Sequence, residues 1–219
     1  MKRSDLIKKY LVLGILFLLP IIVYLFFASG VNHFAKLPVL TPMVKELDEF
    51  SSSEGDKIKL ENHITILGYF GVDVESNHAN AYNLAHKIYK KNFQFKDFQF
   101  VMIVPEGTEN KVEELKRTLS EIEDIKKWNF VYGQPEDIIE QFNSLETNHL
   151  LNEDLSTPYV FIIDKERNLR GRDEDDGEKK YGFDSRDYSE INNAMGDDVK
   201  VILAEYRLAL KKYNSNREI

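Results

Sequence analysis

Apolar positions in this chain fall into blocks of two kinds, and each kind predicts a different element. From Tyr10 to Ala28 nineteen consecutive residues carry no charge and are mostly Leu, Ile, Val and Phe, and the next charged residue is Lys36. At about 1.5 Å of rise per residue, a helix of this length roughly matches a hydrocarbon core of about 30 Å. Residues 10–30 therefore read as a membrane span. Pro20 lies mid-run, which helices in lipid tolerate better than helices in water.

The later apolar blocks are short and alternate in type. Ile64 to Phe70 is ended by Gly71 and Phe98 to Val104 by Pro105; both are rich in β-branched or aromatic residues and read as buried parallel strands. Between them Ala81, Leu84, Ala85, Ile88 and Tyr89 recur at helical spacing before Lys90 and Lys91. Val112, Leu115, Leu119 and Ile122 step by three, four and three, with Glu and Lys opposite, and predict an amphipathic helix. Trp128 to Val131 predicts a brief strand. Ile138, Phe142 and Leu145 mark a shorter helix with Pro135 in its first turn. Pro158 to Asp164 is a strand, Lys165 to Asn168 a turn, and Leu169 to Arg172 an antiparallel return. A closing helix runs through Val199, Ile202, Leu203, Tyr206 and Leu210, starting at Asp197 after Gly196.

Strand, helix, strand, helix, then a β-hairpin and a closing helix define the fold class as α/β: a thioredoxin-like domain with a mid-domain insertion around Trp128 to Leu145, preceded by one N-terminal transmembrane helix. A flavodoxin-like sheet is the alternative, and the hairpin at 158–172 fits it poorly. Val31 to Pro42 shows no lasting period, and Ser51 to Asp56 is a cluster of serine, glycine and charge. The expected organisation is a cytoplasmic basic segment (1–9), a signal anchor (10–30), a tether with at most one early hairpin (31–57), the domain (58–213) and a tail (214–219).

Charge orients this arrangement. Lys2, Arg3, Lys8 and Lys9 precede the span and only Lys36 follows for some distance, so the basic flank stays cytoplasmic and the bulk is exported. The reading is a single-pass protein of the cell inner membrane with its C-terminal domain on the periplasmic side. A cleaved signal peptide competes, with small residues at Ala28 to Gly30, but the apolar run exceeds the usual ~7–15 residues. Beyond residue 30 there are 25 basic and 36 acidic residues, a balance of −11, which argues against nucleic acid and anionic lipid as partners. The chain has no cysteine. That removes disulfide exchange, copper(I) capture by thiolate and a lipoprotein anchor.

Four stretches, taken in order and spacing, carry a resemblance: NHFAKLPV at 32–39, KKWNFVYGQPEDI at 126–138, TPYVFIIDKERNLRGR at 157–172 and INNAMGDDVKVILAEYRLALKK at 191–212. Together they resemble the bacterial Sco/SenC proteins, membrane-anchored thioredoxin-fold factors associated with copper delivery to, or maturation of, cytochrome c oxidase. That family carries two cysteines separated by three residues after its first strand and a histidine before a later one. Matching ITILGYFGVDVESNHANAYNL at 64–84 to the pattern places Asp73 and Asn77 at the thiol positions and Ser156 near the histidine. A carboxylate, an amide and a hydroxyl are hard donors and do not replace soft thiolates for copper(I).

The candidate contact loop comprises Asp73, Glu75, Asn77, His78, Ser156, Thr157 and Pro158. Asp73, Glu75, Asn77 and His78 could form a small oxygen and nitrogen site, or could cap the first helix and complement its dipole. The resemblance places Pro158 where thioredoxin-like domains hold a cis proline, against an ordinary trans proline at a strand start. His78 and His86, eight apart, are expected to be solvent-exposed; His33, His63 and His149 are dispersed and match no zinc spacing. Asp173, Glu174, Asp175, Asp176 and Glu178 form an acidic loop without EF-hand spacing. No catalytic residue, metal site or cofactor is assigned.

The resemblance implies a membrane-anchored, thiol-free, non-catalytic accessory factor in respiratory oxidase assembly, with a protein partner such as an oxidase subunit and no nucleic acid. The alternatives are a general extracytoplasmic binding or scaffold module, and a metal-dependent enzyme using Asp73, Glu75 and His78.

Overall fold

The computed structural model describes residues 3–29, 36–173 and 178–215. It contains two compact units that divide after residue 35. The first holds helix α1 (Arg3–Ser29), with Pro20 inside it. Its described side chains beyond Lys8 run from Tyr10 to Phe26, and the large apolar ones are 44–72% exposed. Among the described residues no helix is long and apolar enough to cross a membrane.

The second unit is built on strands β1 (Val39–Thr41), β2 (Ile64–Phe70), β3 (Phe98–Pro105), β4 (Trp128–Gly133), β5 (Ser156–Ile163) and β6 (Leu169–Arg170), in spatial order β1-β6-β5-β2-β3-β4. The pairs β2–β3 and β3–β4 are parallel. The pairs β2–β5, β5–β6 and β1–β6 are antiparallel. A parallel pair joined through helices, flanked by an antiparallel hairpin, is the thioredoxin-like arrangement, and β4 extends it at one edge.

Every residue of β2 and β3 is buried, which explains their unbroken apolar runs: both faces of the sheet are covered. On one face Ile66, Phe100, Met102 and Phe130 pack with residues of α2 (His78–Leu84), the π-helical turn Ala85–Tyr89, α4 (Glu109–Ser120) and α7 (Gly196–Ser215). On the other, Leu67, Tyr69, Val101, Ile103 and Phe161 pack with α5 (Pro135–Asn143) and with Val44, Leu47, Phe50 and Leu60. Alternate residues of each strand serve alternate faces. Lys90–Asn92 (α3) ends the helix that begins at His78.

The segment expected as a tether over 31–57 is instead largely part of the domain. From Lys36 the chain belongs to the compact unit. Leu37, Val44, Leu47 and Phe50 are buried, β1 pairs with β6, and Ser51 bridges Tyr132. Their irregular spacing hides their role because their partners are distant in sequence: Val44 N–H donates to the Arg167 carbonyl at 2.8 Å, and Thr41 Oγ1 to the Leu145 carbonyl at 2.7 Å. Only residues 30–35 separate α1 from the domain.

Two further elements depart from expectation. Before α7 the chain already forms α6 (Tyr188–Glu190) and a π-helical turn, Ile191–Met195. Asp187 caps α6, its carboxylate accepting from Ser189 N–H at 2.8 Å and Glu190 N–H at 3.1 Å, and α7 itself begins at Gly196, with Asp197 in its first turn. Residues 172–184 form β7 (Arg172–Asp173) and β8 (Lys179–Lys180), paired antiparallel, then β9 (Phe183–Asp184), paired with β5. Of the acidic loop, Glu174, Asp175 and Asp176 lie outside the described residues, as does His33.

A buried ion network ties the unit together. Arg170, in β6, donates from Nε to the Leu37 carbonyl at 2.9 Å, and from its two terminal nitrogens to Asp164 and Glu205 at 2.8 Å each. Asp164 also accepts the Glu166 and Asn168 N–H groups. Burial works against the Arg170 charge, but Asp164 and Glu205 hold its pKa above the ordinary value.

Candidate functional site

The loop after β2 and the loop before β5 emerge at the same end of the sheet because Phe70 is in register with Ser156 and Tyr69 with Thr157. The Val72 N–H donates to the Asp154 carbonyl at 2.9 Å. Gly71 makes the approach possible: it sits at φ +64°, and a Cβ there would lie 2.5 Å from the same carbonyl oxygen. Asp73, Glu75, Asn77 and His78 on one segment and Ser156, Thr157 and Pro158 on the other are thereby brought to one end of the sheet.

Their side chains do different things. Asp73 and Glu75 are exposed. Asn77 is buried, and its Nδ2 donates to the Phe70 carbonyl at 2.9 Å while its Oδ1 accepts from Asn80 Nδ2 at 2.9 Å. The expected capping does not occur. Asp73 precedes the 3₁₀ turn Val74–Asn77 and Asn77 precedes α2, and neither makes a side-chain cap bond. The Asn77 amide is aimed back at β2 instead. His78 and His86 are half-buried rather than solvent-exposed: His78 Nε2 is buried without a hydrogen-bond partner, and the His86 ring lies 4.6 Å from that of Tyr82.

Ser156 Oγ donates to Asp154 Oδ1 at 2.6 Å and accepts from Asn152 Nδ2 at 3.2 Å. No histidine partners it. Thr157 is buried, and its Oγ1 accepts the Tyr159 N–H at 3.4 Å. The Thr157–Pro158 bond is trans, as are all peptide bonds among the described residues. The Pro158 carbonyl accepts both Ser185 N–H at 2.9 Å and Ser185 Oγ at 2.7 Å, and β9 pairs with Tyr159 and Val160 just beyond. The free strand edge that could pair with an added peptide strand is occupied here by the chain itself.

Sequence reasoning missed Asp154, Asn152 and Ser185. A signal existed for Asp154, since Asp two residues before a serine favours a turn in which the carboxylate takes the later N–H; Ser156 N–H donates to it at 3.1 Å. His149 was read only as dispersed, yet its ring stacks on Tyr159 at 3.6 Å. The set Asp73, Glu75 and His78 is not a ligand cluster: among the described residues no group of three or more His, Asp or Glu side chains could hold a metal ion.

No family model and no curated protein matches the sequence. Solved structures do resemble the fold. A proposed protein disulfide isomerase from Bacteroides thetaiotaomicron matches with a TM-score of 0.52 at 12% identity, over 78% of this chain and 95% of its own. A proposed electron transfer protein from Aquifex aeolicus matches with a TM-score of 0.52 at 16% identity, over 75% and 94%. The fold is a thioredoxin-like α/β fold. Sco proteins are among its structural neighbours, including a SCO1/SenC family lipoprotein from Bacillus anthracis with a TM-score of 0.49 at 16% identity, over 77% and 98%.

Proposed function

We propose that this chain is a thiol-free, Sco/SenC-like protein, held by an N-terminal anchor in the inner membrane with its domain on the periplasmic side, that acts by contact with a partner protein as a non-catalytic accessory factor in respiratory cytochrome c oxidase assembly. One observation carries the reading. The segment that presents thiols in the family is here settled by amide chemistry, with Asn77 buried and bonded to the Phe70 carbonyl, in a chain without cysteine. Such a loop has a fixed shape and no redox or soft-metal function.

The anchor is supported by the nineteen-residue uncharged run, its basic N-terminal flank and the exposed apolar side chains of α1. The link to the oxidase rests on the four resembling stretches. Deleting the gene and measuring assembled cytochrome c oxidase tests it: a fall restored by the wild-type chain supports the role, and unchanged oxidase favours a general scaffold module instead.

A further inference from the structure

The twelve residues 144–155 between α5 and β5 form no regular element, yet they are pinned along their length. Lys45 N–H donates to Ser144 Oγ at 2.9 Å, Thr41 Oγ1 to the Leu145 carbonyl, and Asn152 N–H to the Ser156 carbonyl at 2.8 Å; His149 stacks on Tyr159. Glu146 and Leu155 hold left-handed backbone conformations, at φ +49° and +66°, which non-glycine residues adopt only when their surroundings impose it. At the tip of this fixed loop Leu150 is 82% exposed.

Leu150 lines a cleft of about 500 Å³ formed by residues of the loop and α5. Phe142, Leu151 and Ile139, the last 44% exposed, also line it. Its lining carries two carboxylates, Glu146 and Glu153, and the His149 ring, with no Lys or Arg. An exposed leucine on a pre-ordered loop costs little entropy to bury against a partner, and an apolar floor under a carboxylate rim selects positive charge beside apolar anchors. Anionic lipid is disfavoured by the same rim.

We infer that this cleft is a docking site for a short partner segment in which apolar and basic residues alternate, with Leu150, Ile139, Glu146 and Glu153 as its main contacts. The inference rests on the reading that the domain acts by protein contact and names the surface that does so. The Asn152–Ser156 bonds join it to the candidate loop.

The test uses the full chain in maltoside micelles and the fluorescent peptide Lys-Leu-Lys-Phe-Lys, with Glu-Leu-Glu-Phe-Glu as counterpart and empty micelles as baseline. Binding of the basic peptide should exceed that of the acidic one, and should weaken about tenfold in Glu146→Lys/Glu153→Lys and in Leu150→Asp, but not in Glu121→Lys on the exposed end of α4. Trp128, the single tryptophan, reports whether each variant is folded, and Glu146→Gln/Glu153→Gln serves if the charge reversal unfolds. Binding at the micelle baseline, equal binding of both peptides, or equal binding by folded variants overturns the inference. Because the measurement makes no use of the oxidase, its failure is separable from failure of the assembly role.

Discussion

The side-chain amide of Asn77 donates to the carbonyl of Phe70 at 2.9 Å, closing the loop after β2 onto the strand that leads into it. Asn77→Ala leaves that buried carbonyl without its side-chain partner and should cost ~1–3 kcal/mol. Asp73→Ala, at an exposed position with no side-chain cap bond, should stay within about 0.5 kcal/mol. Denaturant unfolding followed by Trp128 emission measures both. Equal costs would mean that the loop is not held by the amide.

The Val72–Asp154 junction depends on Gly71. Gly71→Ala places a Cβ against the Asp154 carbonyl at a positive φ, so it should destabilise by ~1–3 kcal/mol and weaken hydrogen-exchange protection at Val72 N–H. Protection unchanged from wild type would contradict the assigned bond.

Arg170 should be the costliest polar position in the domain. Arg170→Met leaves the buried Asp164 carboxylate without its cation, an expected loss of ~3–5 kcal/mol. Glu205→Gln, at a more exposed member of the network, should lose only about 1 kcal/mol. Thermal melts of both variants against wild type decide the order, and a milder Arg170→Met would show that the network is not closed as described.

Acid should loosen the loop that carries Leu150. Burial lowers the pKa of His149, with Lys180 adding to the effect and Glu190 and Asp184 opposing it. The folded pKa lies below the unfolded value of about 6.5, so the stability held by the neutral ring is present above that value and is lost as pH falls through the folded pKa. His149→Phe keeps a ring against Tyr159 and should flatten this part of the pH dependence. An NMR titration placing His149 above its ordinary value would reverse the sign and sink the prediction.

How much of this was legible depended on whether the signal was local. The strands β2 and β3 and the helix α4 were readable because burial on both faces writes an unbroken apolar run and burial on one face writes a three-four spacing. Leu37, Val44, Leu47 and Phe50 read as a tether in sequence because the pairs that bury them run to residues about 80 to 130 positions away. At the site, the two segments were legible from resemblance, but the inward turn of Asn77, the unpartnered His78 Nε2 and the cover that Ser185 lays over Pro158 are tertiary facts with no local pattern. The left-handed Leu155 is likewise invisible in sequence, since leucine has no preference for that conformation.

The central question is whether a thioredoxin-like domain without cysteine retains any soft-metal chemistry. Copper(I) supplied under reducing conditions to the purified full chain, then challenged with a competing chelator, measures this directly. No copper should stay with the protein; one tightly held copper per chain, reduced by substitution at Asp73, Asn77 or His78, would show that the loop binds soft metal after all.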